Sequence, residues 1–139
     1  MADVSITAAN VIKQSTATTV AATAGASITA GQTLYIDTAD NDLMKLADSD
    51  SGTVAVRALA GVALHAAATG QPIRYATAGP VTIGGTLAPG RVYVLSDTPG
   101  GIMPEEDLEA GDYCSILGYA SSSSTLVIDI TNTLTAVDA

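Results

Sequence analysis

Residues Ile28–Asp37 have the sequence ITAGQTLYID, and a second segment of the same pattern, Leu87–Ser96, has the sequence LAPGRVYVLS. Each is a glycine-containing turn that leads into a run of β-branched and aromatic residues, as expected for a turn followed by a strand. A second matched pair follows each copy at a similar distance: Leu59–Ala63 (LAGVA) and Ile116–Ala120 (ILGYA). The chain therefore contains an internal repeat, and we predict two pseudo-equivalent β units.

The spacing of turn residues, with short β-branched runs at intervals of about ten residues, is typical of a β-sandwich or β-barrel. Gly61 and Gly118 each interrupt a run that would otherwise be a good strand, so we place both at bulges or sharp bends, where small barrels turn corners. The one helical candidate is a turn over 104–108. We predict strands at 33–37, 53–58, 61–66, 72–76, 80–84, 91–96, 113–120 and 125–131.

The composition limits the size of the fold and the kind of core. At 139 residues the chain fits one compact domain or two very small ones. Hydrophobic residues make up 47% of the chain, but 25 residues are alanine, Phe and Trp are absent, and five tyrosines are the only aromatic residues. The core must therefore be built from small and β-branched side chains, which suits β structure better than a helical bundle.

The charge excludes one class of partner. Fourteen acidic residues against five basic ones give a net charge of −9, which repels a phosphate backbone, so we expect no nucleic-acid binding. Eleven of the acids fall in two stretches between paired strands, 37–50 and 97–112. The first stretch does not jointly meet the glycine and glutamate spacing of a calcium-binding EF-hand loop, so we interpret it as a solvated hairpin loop. We expect no bound metal.

The first 27 residues differ from the rest, because only Asp3 and Lys13 carry charge between Ala2 and Ser27. We divide the chain into an extended N-terminal arm, 1–27, and a β-barrel domain, 28–139. Because a solvated tail would carry more charge and proline, we expect the arm to become ordered against a partner or a neighbouring subunit. The alternative is a first strand and a linker within one subunit. The residues that we expect to bind the partner are Val4, Ile6, Val11 and Ile12.

No leader or membrane-spanning pattern is visible in the sequence. The first residues lack the basic start and apolar run of a secretion signal, and no stretch approaches the ~20 apolar residues of a membrane span. We expect a soluble, unprocessed protein that is made inside a cell and does not bind membranes.

The sequence contains little that points to catalysis. The single cysteine, Cys114, rules out an internal disulfide, and the single histidine, His65, rules out the usual zinc sites. The two could form a nucleophile and base pair, but a cysteine in a strand is more often a small buried side chain. Met44-Lys45 matches only part of the Met-Lys-Met hairpin of biotin carriers, so we interpret Lys45 as a loop cation among acids. We predict no enzymatic activity and no cofactor.

The segment Gly61–Val81, GVALHAAATGQPIRYATAGPV, resembles tailed-phage head decoration (capsid cement) proteins. These often carry a G-V-A-x-x-A-A-x-G-x-x-V segment that runs into a short strand ending in a small-residue turn and Val. The resemblance extends to Ala30-Gly31-Gln32 and to the Ala/Thr-rich arm, and it covers about two-thirds of the chain. It implies a small β-barrel or β-tulip-like domain that trimerises on the capsid exterior. It also implies an N-terminal arm that contacts the major capsid protein, and no catalytic residues.

Two kinds of binding function follow from the sequence. The first is a homotrimeric cement protein of the virion, made in the host cytoplasm, that stabilises the shell through many weak contacts. Deleting residues 2–24 is then expected to leave a folded domain that no longer decorates capsids. The alternative is a carbohydrate- or surface-binding β module of a phage tail or fibre, for which only tyrosines could stack on a sugar ring.

Overall fold

In the computed structural model the chain is built from β-strands across the residues that the structure describes, which are 4, 6–7, 11–14, 17–48, 58–96, 100–105 and 113–136. This part of the chain contains no α-helix, so the all-β prediction is confirmed. The strands are β1 (Ile12–Lys13), β2 (Thr18–Thr23), β3 (Thr33–Asp37), β4 (Leu43–Leu46), β5 (Gly61–Ala63), β6 (Pro72–Thr82), β7 (Val92–Leu95), β8 (Ile102–Pro104), β9 (Tyr113–Ala120) and β10 (Thr125–Ala136).

The sheet has the same arrangement when it is followed from either edge. Its order is β4-β3-β5-β6-β10-β9-β7-β8, with β1 and β2 paired to β6 outside this path. The repeat relates β3 to β7, β4 to β8, β5 to β9 and β6 to β10. The two halves meet where β6 and β10 pair as antiparallel neighbours. The prediction of two pseudo-equivalent β units in a curled, barrel-like sheet is confirmed.

The two units agree in register as well as in strand order. Leu34 pairs with Gly61 in the first unit, and Tyr93, at the matching position of the repeat, pairs with Gly118 in the second. Gly61 is the first residue of β5, whereas Gly118 lies beside a register shift in the pairing of β7 with β9. The aligned sequences therefore occupy equivalent places in the sheet.

Both glycines are required by close packing of neighbouring strands. A Cβ atom on Gly61 would run into the carbonyl oxygen of Ala76, and one on Gly118 would run into the carbonyl oxygen of Val127. Ala76 and Val127 are themselves equivalent, since they lie opposite Val62 and Tyr119 in the two copies. The missing side chain lets the backbone of β5 and β9 approach the next strand closely.

The first unit closes into a small barrel. Tyr75 of β6 pairs with Ala63 of β5 and also with Val20 of β2, so β5 and β2 lie on opposite edges of β6. The ring β2-β6-β5-β3-β4 is completed by a parallel bridge between Ala24 and Met44. Each large side chain buried inside stabilises the fold by about 1.5–3 kcal/mol. The interior holds Ala24, Ile28, Leu34, Met44, Ala63, Ala67, Ile73 and Tyr75.

A second, larger buried cluster joins the two units. From the first unit it includes Tyr35, Val62 and Ala76. Small and β-branched residues supply most of it, as the composition predicts, and no side chain larger than tyrosine is present in the chain. Val81 of β6 also belongs to it. The second-unit members are Ile83, Leu87, Tyr93, Leu95, Ile102, Leu117, Ala120, Leu126 and Ile128.

The N-terminal segment ties the two edges of the sheet together, and we name its described residues from Val4 to Gly25 the strap. At one end the backbone N–H of Val4 donates to the carbonyl of Ile102 in the edge strand β8, at 2.7 Å. At the other end the N–H of Gly25 donates to the carbonyl of Met44 in the edge strand β4, also at 2.7 Å. Between these ends β1 and β2 pair with β6.

Several predicted strand boundaries are wrong in an informative way. The predicted strands 72–76 and 80–84 are one strand, β6, which passes through Gly79 at a φ of +90° instead of turning. The predicted loops 37–50 and 97–112 contain the short strands β4 and β8, which pair antiparallel with β3 and β7. The predicted strand 61–66 ends at Ala63. Most of the predicted strand 53–58 and of the helical turn 104–108 lies outside the described residues, and Pro104 belongs to β8.

Candidate functional site

The residues predicted to bind a partner occupy different environments in the strap. Val11 is buried, and Val4 and Ile6 pack, partly buried, against the larger core cluster of their own chain. Ile12 differs, because 61% of its surface is exposed, the largest value among the described large hydrophobic residues. Of these four residues, Ile12 is the one whose side chain is free to contact another molecule.

The strap belongs to the segment 1–27 that is predicted as an extended arm, and its strands β1 and β2 pair with β6 of the same chain. An uncharged β-prone segment can satisfy its backbone hydrogen bonds at any open strand edge, and β6 of the same chain provides that edge. β2 therefore corresponds to the alternative of a first strand within one subunit. Deleting residues 2–24 would remove β1, β2 and the buried side chains of Val11 and Ala24. The truncated chain is accordingly expected to lose its barrel closure.

The acidic residues of the first hairpin are organised around one lysine. Lys45 of β4 forms ion pairs of 2.8 Å with Asp37 and with Asp40. The hydrogen bond from Lys45 lowers the pKa of Asp37, and the two carboxylates raise the pKa of Lys45. Lys45 is a cation among acids as predicted, but it lies in a strand and not in a loop. The tip of the hairpin, where a carrier domain would present its lysine, is formed by residues 38–42.

The two residues of the candidate cysteine–histidine pair belong to different parts of the sheet. His65 uses both ring nitrogens on the backbone: Nδ1 lies 2.9 Å from the carbonyl oxygen of Ala66, and Nε2 accepts the N–H of Arg74 at 3.0 Å. These contacts identify Nδ1 as the protonated nitrogen, and they fix the ring at the turn between β5 and β6. The backbone of Cys114 lies in β9, while its side chain lies outside the described residues. The strands β6 and β10 separate β5 from β9 in the sheet.

Neither a metal centre nor a membrane span is found in the described parts of the chain. There, no three His, Cys, Asp or Glu side chains are grouped closely enough to hold a metal ion. Within the same residues no helix is long and apolar enough to cross a bilayer.

The tyrosines, which are the candidates for stacking on a sugar, are mostly internal. Tyr35, Tyr75 and Tyr93 are buried, with 7%, 4% and 2% of their surfaces exposed. Burial raises the pKa of Tyr75, and burial together with nearby Asp37 raises that of Tyr35. Tyr119 is 45% exposed and so is available to a ligand. The side chain of the fifth tyrosine lies outside the described residues.

Tyr119 belongs to a row of apolar side chains that sequence inspection did not single out. Tyr119 pairs with Val92 of β7 on one side and with Val127 of β10 on the other, and Val127 pairs with Pro80 of β6. We name these four residues the Tyr119 row. Val92, Val127 and Pro80 are each half-buried. The sequence does contain a signal for the Tyr119 row, because the repeat has Val62 in LAGVA where ILGYA has the larger Tyr119.

The Tyr119 row is continuous with the exposed part of the strap. Gln14 donates its backbone N–H to the carbonyl of Pro80, and its side-chain amide lies 3.0 Å from the hydroxyl of Thr125. Thr125 and Val127 are two residues apart in a strand and therefore share one face, as do Ile12 and Gln14. The face that carries the row thus extends across β6 to Ile12.

Comparison with protein-family models, with curated proteins and with solved structures finds no match for this chain.

Proposed function

We propose that the chain is a structural decoration protein that binds the exterior of a tailed-phage head and stabilises the shell. In this proposal it is made in the host cytoplasm and joins the virion as a homotrimer whose partner is the major capsid protein. It acts by binding and not by catalysis. Many copies on a symmetric lattice allow individually weak contacts to hold the shell together.

The observation that carries this proposal is the position of the segment that resembles cement proteins. Gly61–Val81 contains β5, the turn of His65 and nearly all of β6. β6 is the strand to which β5, β10, β1 and β2 all pair. The resemblance therefore covers the strand with the most pairing partners. A match there supports the same overall fold as that of cement proteins better than a match in a peripheral loop would.

The mode of attachment follows from exposure along the strap. Val4, Ile6 and Val11 already contribute to the core, so a shell contact through them would compete with folding. Ile12 is exposed and lies in a strand held by β6, so it can contact the capsid without any loss of core packing. We accordingly assign the attachment of the N-terminal segment to Ile12.

Electron microscopy of the phage particles with which the protein co-purifies tests the function. We expect density for the protein on the outside of the head. Sedimentation equilibrium of the purified protein should give three times the chain mass of 13.8 kDa. Particles that carry the protein only on the tail, or no particles at all, would overturn the decoration function.

Rebinding to heads stripped of the protein tests the assignment of Ile12. We expect Ile12→Ser to weaken rebinding at least tenfold, which corresponds to about 1.4 kcal/mol. Val20→Ser is the matched control, because Val20 is also a strand residue of the strap and is 39% exposed. Equal binding of both variants and the wild type would remove Ile12 from the attachment surface.

A carbohydrate-binding role is the second candidate, and the exposure of Tyr119 is the observation that favours it. Sugar rings stack on exposed aromatic rings. A glycan-array signal that is lost in Tyr119→Ser but kept in Ile12→Ser would favour this role over decoration.

A further inference from the structure

The internal repeat shows that the Tyr119 row is unusually open. The matching row of the first unit consists of Thr33, Val62 and Ala76, and each of these side chains is completely buried. Their equivalents in the second unit are Val92, Tyr119 and Val127, which are half-buried or exposed. The same face of the same structural unit is thus covered by the chain in one copy and uncovered in the other.

The open row borders a groove with an acidic rim. The groove has a volume of about 290 Å³, and its lining includes Ile116 and Tyr119 together with Glu105 and Asp129. Both carboxylate side chains belong to exposed residues. An apolar strip flanked by two carboxylates fits a protein surface that presents an apolar side chain between lysine or arginine residues.

The charge of the whole chain favours such a partner over a second copy. Each copy has a net charge of −9, so two copies docked through this groove would bring like charges together. The cation of the first hairpin, Lys45, is already paired with Asp37 and Asp40 and is not available to compensate. A partner with a basic surface is instead attracted both by the net negative charge of the chain and by the two rim carboxylates.

We propose that the Tyr119 row, its rim carboxylates and Ile12 form one docking face for a basic protein surface. This inference rests on the proposed function, in which that surface belongs to the capsid shell. It deepens that function, since it names the face that meets the shell and the chemistry that the shell presents. Tyr119 is the apolar anchor, and Glu105 and Asp129 pair with lysine or arginine side chains around it.

Rebinding to stripped heads in a salt series tests the docking face. We expect Tyr119→Ser to weaken binding at least tenfold. The double variant E105Q/D129N should also bind more weakly, and its affinity should depend less on sodium chloride between about 0.05 and 0.5 M. Ile36→Ser is the matched control: Ile36 is 39% exposed, lies on β3 far from this face in strand order, and should bind as the wild type does.

The possible outcomes separate this inference from the proposed function. If the wild type rebinds and both Tyr119→Ser and E105Q/D129N rebind equally well with the same salt dependence, the docking face is wrong while decoration stands. If the wild type does not rebind, both the docking face and the decoration function are overturned. If sedimentation shows that Tyr119→Ser dissociates the oligomer, the row is an interface between copies, and the assignment to a basic partner is overturned. Thermal unfolding of each variant verifies that the fold is intact.

Discussion

Replacing Gly118 with alanine tests whether glycine occurs at this position of both repeats because the neighbouring strand lies too close for a side chain. The new Cβ would run into the carbonyl oxygen of Val127, so β10 must move by roughly 1.5 Å to reach an ordinary contact distance. That movement strains the pairs that hold β9 to β10 around Tyr119 and Ile128. Overpacking of this kind and one or two weakened hydrogen bonds together cost about 3 kcal/mol. For a domain of this size, the melting temperature should fall by about 10 °C.

Urea denaturation and calorimetry of matched variants measure the effect. Gly61→Ala should be as destabilising as Gly118→Ala, because its Cβ meets the equivalent carbonyl oxygen, that of Ala76. Gly90→Ala is the control: it has a φ of +83° but open space around it, so it should cost only about 1 kcal/mol. A loss of stability in Gly118→Ala no larger than that in Gly90→Ala would refute the argument that strand approach requires the glycine.

Two further changes test the ion pairs and the buried hydroxyl. Lys45→Gln should bring the pKa of Asp37 back up to its ordinary value. A lowered carboxyl pKa stabilises the fold fully above the unfolded pKa of about 4, and this stabilisation is lost as the pH falls through the folded pKa. A raised lysine pKa stabilises fully below about 10. Wild type and variant should therefore differ in urea denaturation between pH values of about 4 and 10 and converge in acid. D42N is the control. A difference in stability between wild type and Lys45→Gln that persists at low pH would contradict the assignment of that difference to the ion pairs of Lys45. Tyr93→Phe should lower the free energy of unfolding by about 1–2 kcal/mol, because the buried Tyr93 hydroxyl accepts a backbone N–H from the turn before β7. An unchanged denaturation midpoint would show that this hydrogen bond does not contribute to stability.

The repeat made most of the sheet predictable from sequence. The strand 113–120 was predicted with the boundaries of β9, and 33–37 with those of β3. β3 follows a turn that contains Gly31, and both segments contain alternating or β-branched residues, which are strong local signals for a strand. The equivalence of Gly61 and Gly118 could be found because glycine in an otherwise good strand marks close backbone approach.

Features that depend on tertiary contacts could not be predicted in the same way. β4 and β8 are short strands in acidic stretches, and their pairing with β3 and β7 overrides the turn propensity of Asp and Asn. The pairing of the N-terminal segment with β6 could not be predicted either, because a low charge favours ordering against some surface without indicating which strand edge is used. The Tyr119 row is formed by three strand pairings, so it became visible only when the registers were known.

The strap also imposes an order on how the molecule is made. Val4 leaves the ribosome long before Ile102, the residue whose carbonyl accepts its N–H. The N–H of Val4 therefore cannot form this hydrogen bond until the chain has been synthesised as far as β8. Contacts of such long sequence separation slow folding and leave strand edges uncovered in the interval. A nascent chain that ends before β8 therefore leaves β-prone segments of low charge open to pairing with neighbouring copies.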